Sequence, residues 1–114
     1  FKSHNKDFKD GKQSRDFIYV EDCINVMLWL YKNPKISGIF NVGTGKSRTF
    51  LDLTKIMFKN LKKKEKIKYI KAPNNILKHY QYYTKADIKK LKKAGYLKKF
   101  KTLEDGIKCY IKKQ

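Results

Sequence analysis

The sequence predicts an α/β domain in which short strands alternate with helices. Segments rich in β-branched and aromatic residues, RDFIYV at 15–20 and GIFNV at 38–42, are each followed by apolar residues at helical spacing. Strand and helix signals alternate along the chain rather than falling into separate blocks, the pattern of an α/β layer architecture. The length, 114 residues, is that of one domain.

The elements follow in order. Residues 1–14, FKSHNKDFKDGKQS, have no periodicity and place Gly11 in an Asp-Gly turn dipeptide, which predicts a loop. Arg15 to Val20 reads as a strand. Glu21 to Asn33 reads as a helix with Ile24, Met27, Leu28 and Tyr31 on one apolar face, Glu21 and Asp22 at its positive end, and Pro34 as its stop. Gly38 to Val42 is a second expected strand. A glycine turn at Gly43-Thr44-Gly45 leads to a helix from Phe50 to Leu61, with Thr49 and Asp52 as an Asp-substituted capping box. Leu53, Ile56, Met57 and Leu61 are its stripe, and the lysine-rich run Lys62 to Lys66 is its solvated end. Ile67 to Ile70 reads as a third strand and Pro73 to Tyr83 as irregular. Thr84 caps a helix through Ala94, closed by Gly95, and Thr102 caps a last helix to Ile111.

Composition excludes some functions. The longest apolar-aromatic run, Val26 to Tyr31, is six residues, against about 20 for a membrane span. The charged first twenty residues do not read as a signal peptide. Cys23 and Cys109 cannot build a disulfide framework and read as small core residues, with a reducing cytoplasm as the expected compartment. The net charge of +19 invites a nucleic-acid or anionic-membrane reading. However, 27 of the 29 basic residues are lysine, and readers of bases and phosphates lean on arginine's planar fork. Lys, Ile, Asn, Tyr and Phe are abundant while Ala and Val number three each, the skew of AT-rich coding. No nucleic-acid or membrane partner is therefore expected, although a small basic nucleic-acid-binding module stays open as the alternative.

Few motifs carry chemistry. Gly43-Thr44-Gly45-Lys46-Ser47 lacks the earlier glycine of a phosphate loop, because Phe40 stands there, and Arg48 replaces the third glycine of a dinucleotide fingerprint. His4 and His79 have no partner at ligand spacing, so no metal site is expected. The cluster Tyr80-Gln81-Tyr82-Tyr83 is either packing or a hydrogen-bonding wall for a sugar. Arg15 is one of two arginines in a lysine-saturated chain. Its fork matches a diphosphate with two parallel hydrogen bonds, and the competing reading is an ion pair with Asp16 or Asp22.

RDFIYVEDC at 15–23 and SGIFNVGTGK at 37–46 resemble the C-terminal part of extended short-chain dehydrogenase/reductase enzymes that act on nucleotide sugars. FKSH with DG and RDF downstream, FNVGTGKSRTFLDL, HYQYYTKADIKKLKKAGY and FKTLEDGIKCYI narrow the resemblance to the ADP-glyceromanno-heptose 6-epimerases, over nearly the whole chain. A lobe of another nucleotide-sugar epimerase or dehydratase, such as a UDP-sugar epimerase, is the neighbouring alternative.

The resemblance implies that 1–114 is a C-terminal substrate-binding lobe, with the N-terminal Rossmann half absent. The parent enzyme would use NADP to oxidise the sugar of ADP-heptose transiently at C6 and reduce it from the other face, supplying lipopolysaccharide core synthesis. It would be a homo-oligomer when complete. Phe1, Lys2, Ser3 and His4 match a substrate-contacting segment, Arg15 the arginine that grips the diphosphate, and Tyr80 a substrate-binding tyrosine. The family's glycine fingerprint and Tyr-x-x-x-Lys pair have no counterpart here. Tyr31 to Lys35 fits the letters but straddles Pro34, where side chains four apart no longer share a face. No catalytic residue or cofactor contact is therefore expected within the chain. The polar opening at Phe1 reads as the middle of something longer.

Overall fold

A computed structural model describes residues 1–113. Two short strands, β1 (Ser14–Arg15) and β2 (Arg48–Thr49), pair antiparallel, with Ser14 opposite Thr49 and Arg15 opposite Arg48. Among the described residues there are five helices: α1 (Val20–Lys32), α2 (Phe50–Asn60), α3 (Asn74–Leu77), α4 (Lys89–Lys93) and α5 (Leu103–Ile111). The chain is thus α/β with few strands.

The expected caps form, while the short helix α3 lies within the segment 73–83 that reads as irregular. The Thr49–Asp52 capping box forms reciprocally, with Asp52 N–H on Thr49 Oγ1 at 3.0 Å and Thr49 N–H on Asp52 Oδ2 at 3.1 Å. Thr102 caps α5 by accepting from Asp105 N–H at 3.1 Å. Gly95 at φ 109° closes α4, where a side chain would be strained.

Three strand expectations need correction. Gly38–Val42 and Ile67–Ile70 are not strands, because no neighbouring strand among the described residues pairs with them. Ile39 consequently stands 87% exposed. The first strand stops at Arg15 rather than Val20. The fourth helix does not start at Thr84: Ile88 is the N-cap of α4. Residues 82–84 are held against Ser14 in a parallel bridge instead, since Ser14 N–H donates to Tyr82 O at 2.9 Å and Thr84 N–H to Ser14 O at 3.2 Å. Backbone groups recruited by β1 cannot also close a helical turn.

The core is small. Val26, Leu91 and Tyr96 are buried, and Trp29, Leu30, Phe40 and Phe100 pack against them. Trp29 meets Tyr96 edge-on at 5.4 Å. The apolar face expected of α1 is the wrong one. Ile24, Met27, Leu28 and Tyr31 are all exposed, and the inward residues are Asp22 and Val26, flanked by Trp29 and Leu30. The helix is apolar on both sides, and only one side finds cover in this chain. Cys23 and Cys109 are free and half-buried rather than in the core, and burial pushes the Cys23 thiol up.

Size measures agree with that. The accessible surface is 8990 Å², against about 6,600 Å² for a compact monomer of this mass. The radius of gyration is 16.7 Å, against about 13 Å for a compact domain of this length.

One ion-pair cluster ties α2 to α5. Arg48 grips Glu104 through both amino nitrogens, at 2.8 and 3.2 Å, and lies 3.5 Å from Asp52. The Arg48 fork holds the Glu104 carboxyl below its ordinary 4.5, helped by a backbone hydrogen bond. A depressed carboxyl adds stability above its unfolded pKa and loses it as pH falls through the folded value. Half of Glu104 faces solvent, so the pair is worth about 0.5–1 kcal/mol. Acidification below about pH 4.5 should therefore lower the melting temperature of the parent more than that of Arg48→Ala. Equal acid sensitivity in thermal melts of the two proteins would remove this pair from the account.

Candidate substrate-binding face

The candidate site forms where the N-terminal loop, β1 and the loop at 80–83 meet. Arg15 leaves β1 with its guanidinium carbon 5.4 Å above the Tyr80 ring and 5.8 Å from the Phe50 ring. Both rings therefore lie within cation–π distance of its charge. Its NH1 donates to Ser14 O at 2.8 Å. Four of its five N–H donors have no protein acceptor among the described residues. The aromatics form a run: Phe1 meets Tyr80 edge-on at 6.2 Å, Tyr80 meets Tyr82 at 5.1 Å, and Phe8 meets Tyr82 at 5.2 Å.

The ion-pair alternative for Arg15 is corrected by this geometry. Neither expected carboxylate is paired with it. Asp22 is buried and accepts from Lys101 N–H at 2.7 Å, with the Lys101 ammonium at 3.8 Å. Asp16 turns to the opposite side of the chain and accepts only from neutral donors: Thr44 N–H at 2.9 Å, the Thr44 hydroxyl, Gly45 N–H at 2.8 Å and Ala86 N–H at 3.1 Å. No salt bridge to Arg15 forms among the described residues.

The residues matched to the substrate-contacting segment fall into two groups. The Phe1 ring is at the face, and its carbonyl is tied down by Gly11 N–H at 3.4 Å and Gln13 Nε2 at 3.3 Å. His4 reaches it through its backbone, whose N–H donates to Tyr82 Oη at 3.1 Å, while its side chain is exposed. Lys2 donates its N–H to Ile70 O at 2.8 Å and its side chain is exposed. Ser3 is committed to its own loop, with N–H on Asp10 Oδ1 at 2.7 Å and hydroxyl on Asn5 O at 2.8 Å. Phe1, Arg15 and Tyr80 thus converge, and Lys2, Ser3 and His4 shape the loop beside them.

Sequence reading missed Phe50, Gln13 and the role of Asp16. Phe50 reads as the first residue of a helix, and only the β1–β2 pairing brings it beneath Arg15. Gln13 is 1% exposed and its Oε1 has no partner. Nothing local marked either residue.

The face is open. Concavities of about 570 Å³ and 350 Å³ lie elsewhere, the first lined by Lys46, Lys92, Lys98 and Lys99, the second between Phe17–Val20, α2 and α5. The glycine loop does not fit a dinucleotide. Its Thr44 and Gly45 N–H groups are spent on Asp16, and a Cβ at Gly43 would lie 2.5 Å from Ala86 Cβ. The loop is packed for protein rather than open to a phosphate. Among the described residues no His/Cys/Asp/Glu group could hold a metal, and no helix is long and apolar enough to cross a membrane.

The family model described as NAD dependent epimerase/dehydratase family matches residues 5–43. The ADP-L-glycero-D-manno-heptose-6-epimerase of Nitratidesulfovibrio vulgaris (strain DP4) is 46% identical over 112 residues, covering 98% of this chain and 35% of the relative. That of Fusobacterium nucleatum subsp. nucleatum is 44% identical over 117 residues, covering 97% and 35%. The chain spans about a third of the length of these curated relatives. Among solved structures, it superposes on UDP-N-acetylglucosamine 4-epimerase from Methanobrevibacter ruminantium M1, in complex with UDP-N-acetylmuramic acid, with a TM-score of 0.71 at 29% identity over 92% of this chain and 34% of that one. UDP-glucuronic acid 4-epimerase from Bacillus cereus, in complex with UDP-glucuronic acid and NAD, gives 0.73 at 28% identity over 93% and 34%. The chain shares its fold with the matching third of these nucleotide-sugar epimerases, and over nearly all its length its sequence is similar to the ADP-L-glycero-D-manno-heptose-6-epimerases.

Proposed function

We propose that this chain is the C-terminal substrate-binding lobe of an ADP-L-glycero-D-manno-heptose 6-epimerase, an isomerase that inverts C6 of ADP-heptose for lipopolysaccharide core synthesis in the cytoplasm. The observation that carries the reading is Arg15, held between two aromatic rings with its donors unspent, in a chain 44–46% identical to enzymes of that name.

In this reading Arg15 forks onto the diphosphate of the ADP-sugar. Phe50 and Tyr80 hold the guanidinium by cation–π contact, so less of its freedom is lost on binding. Tyr80, with Phe1 at its edge, offers an aromatic and hydroxyl surface to the substrate. Lys2, Ser3 and His4 keep the first loop against that wall. NADP is the cofactor of the whole enzyme, held by residues outside this chain, and the proton-transfer groups lie there too.

The surface supports a lobe. The uncovered α1 face, with Tyr31 84% and Met27 67% exposed, and the unpaired segment around Ile39 are apolar ground for the Rossmann half to cover. A substrate cleft formed between two lobes also accounts for the open face around Arg15. The complete enzyme is expected to be a homo-oligomer.

Two outcomes follow. Hydrogen bonds to charged groups are worth about 1.5–3 kcal/mol each. Arg15→Ala in the full-length enzyme should raise KM roughly tenfold or more, and Arg15→Lys should recover only part of the loss. An unchanged KM in both variants would refute the assignment. Titration of the 114 residues with NADP should give no heat of binding, and micromolar affinity would place a cofactor site inside this chain.

A further inference from the structure

Arg15 and Asp16 are neighbours in sequence with opposite charges, yet they do not pair. Asp16 Oδ1 accepts from Thr44 N–H at 2.9 Å and from the Thr44 hydroxyl, and Oδ2 accepts from Gly45 N–H at 2.8 Å and Ala86 N–H at 3.1 Å. All four donors are neutral and come from two chain-distant segments. Gly43 is buried against the same carboxylate, where a Cβ would sit 2.8 Å from Oδ2.

The segment bonded to Asp16 through Ala86 also carries the aromatic wall. Ser14, one residue before Arg15, is bonded to Tyr82 O and Thr84 N–H. Ser14 and Asp16 therefore clamp 82–86 from either side of Arg15, and that clamp sets where Tyr80 stands relative to the guanidinium. A carboxylate whose oxygens are taken by amide and hydroxyl donors keeps its charge but is held out of a direct ion pair with the adjacent arginine.

We propose that Asp16 is a positioning residue for the diphosphate site. Its carboxylate holds Arg15 and the tyrosine wall in register and, by taking amide partners, keeps the arginine's charge available for substrate. The inference rests on the reading of Arg15 given above.

The test is a double-mutant cycle in the full-length enzyme, with KM and kcat for ADP-heptose and the melting temperature of every variant. Asp16→Asn turns an amino group toward N–H donors and breaks the acceptor set at nearly constant volume. It should raise KM about tenfold with Arg15 present and less than about twofold in the Arg15→Ala background, with kcat within about twofold throughout. If the two substitutions multiply, to about a hundredfold, Asp16 serves the fold alone and the proposal is overturned. If Asp16→Asn does not fold, Thr44→Val removes one donor and keeps the backbone ones. It should raise KM about threefold with Arg15 and leave it unchanged without, and an equal effect in both backgrounds overturns the proposal. A wild-type KM insensitive to Arg15→Ala overturns the Arg15 reading, and this inference with it.

Discussion

Everything at the site depends on two residues of strand. Ser14 and Arg15 pair on one side with Arg48 and Thr49, and on the other Ser14 bridges Tyr83 through hydrogen bonds to Tyr82 O and from Thr84 N–H. A strand of this length would not persist alone. It is sustained by ties at both ends: Phe50 N–H on Gln13 O at 3.0 Å before it, and the Asp16 carboxylate after it. Those ties fix three segments far apart in sequence, 13–16, 44–50 and 82–86, and their junction is where Arg15, Phe50 and Tyr80 meet.

The same junction shows what was legible in the sequence. Local chemistry was readable: the Thr49 and Thr102 caps, the Pro34 stop and the Gly95 closure each depend on a few adjacent residues, and each is where it was expected. Arg15 stood out because an arginine among lysines is a chemical choice. What failed was non-local. GIFNV has the composition of a strand, but a strand exists only with a neighbour, and none among the described residues lies beside it. Thr84 has the look of a cap, but the backbone around it is taken by Ser14 and Asp16. On α1 the periodicity gave a genuine apolar face and the packing used another. Phe50 and Gln13 belong to the site through register alone, which no local pattern encodes.

The distribution of charge and apolar surface follows one logic. The lysines crowd the exposed ends of helices and the loops between them, where their solvated charge costs little. The acids are few and mostly employed. Asp52 and Asp105 sit in caps, Glu104 and Glu21 pair with Arg48 and Lys113, Asp22 anchors Lys101, and Asp16 anchors a loop. Against that background the unspent fork of Arg15 and the bare apolar face of α1 are the two conspicuous surpluses. The first suits an anionic substrate, the second a protein surface.

The central claim, that Arg15 between its two rings is the diphosphate contact, is tested most directly by a crystal structure of the full-length enzyme with ADP bound. The account predicts the Arg15 guanidinium within about 3 Å of oxygens on both phosphates, still within cation–π distance of Tyr80 and Phe50, with the Asp16 carboxylate on the Thr44, Gly45 and Ala86 amides. ADP bound elsewhere, with Arg15 contacting only Ser14 O and the rings, would contradict it.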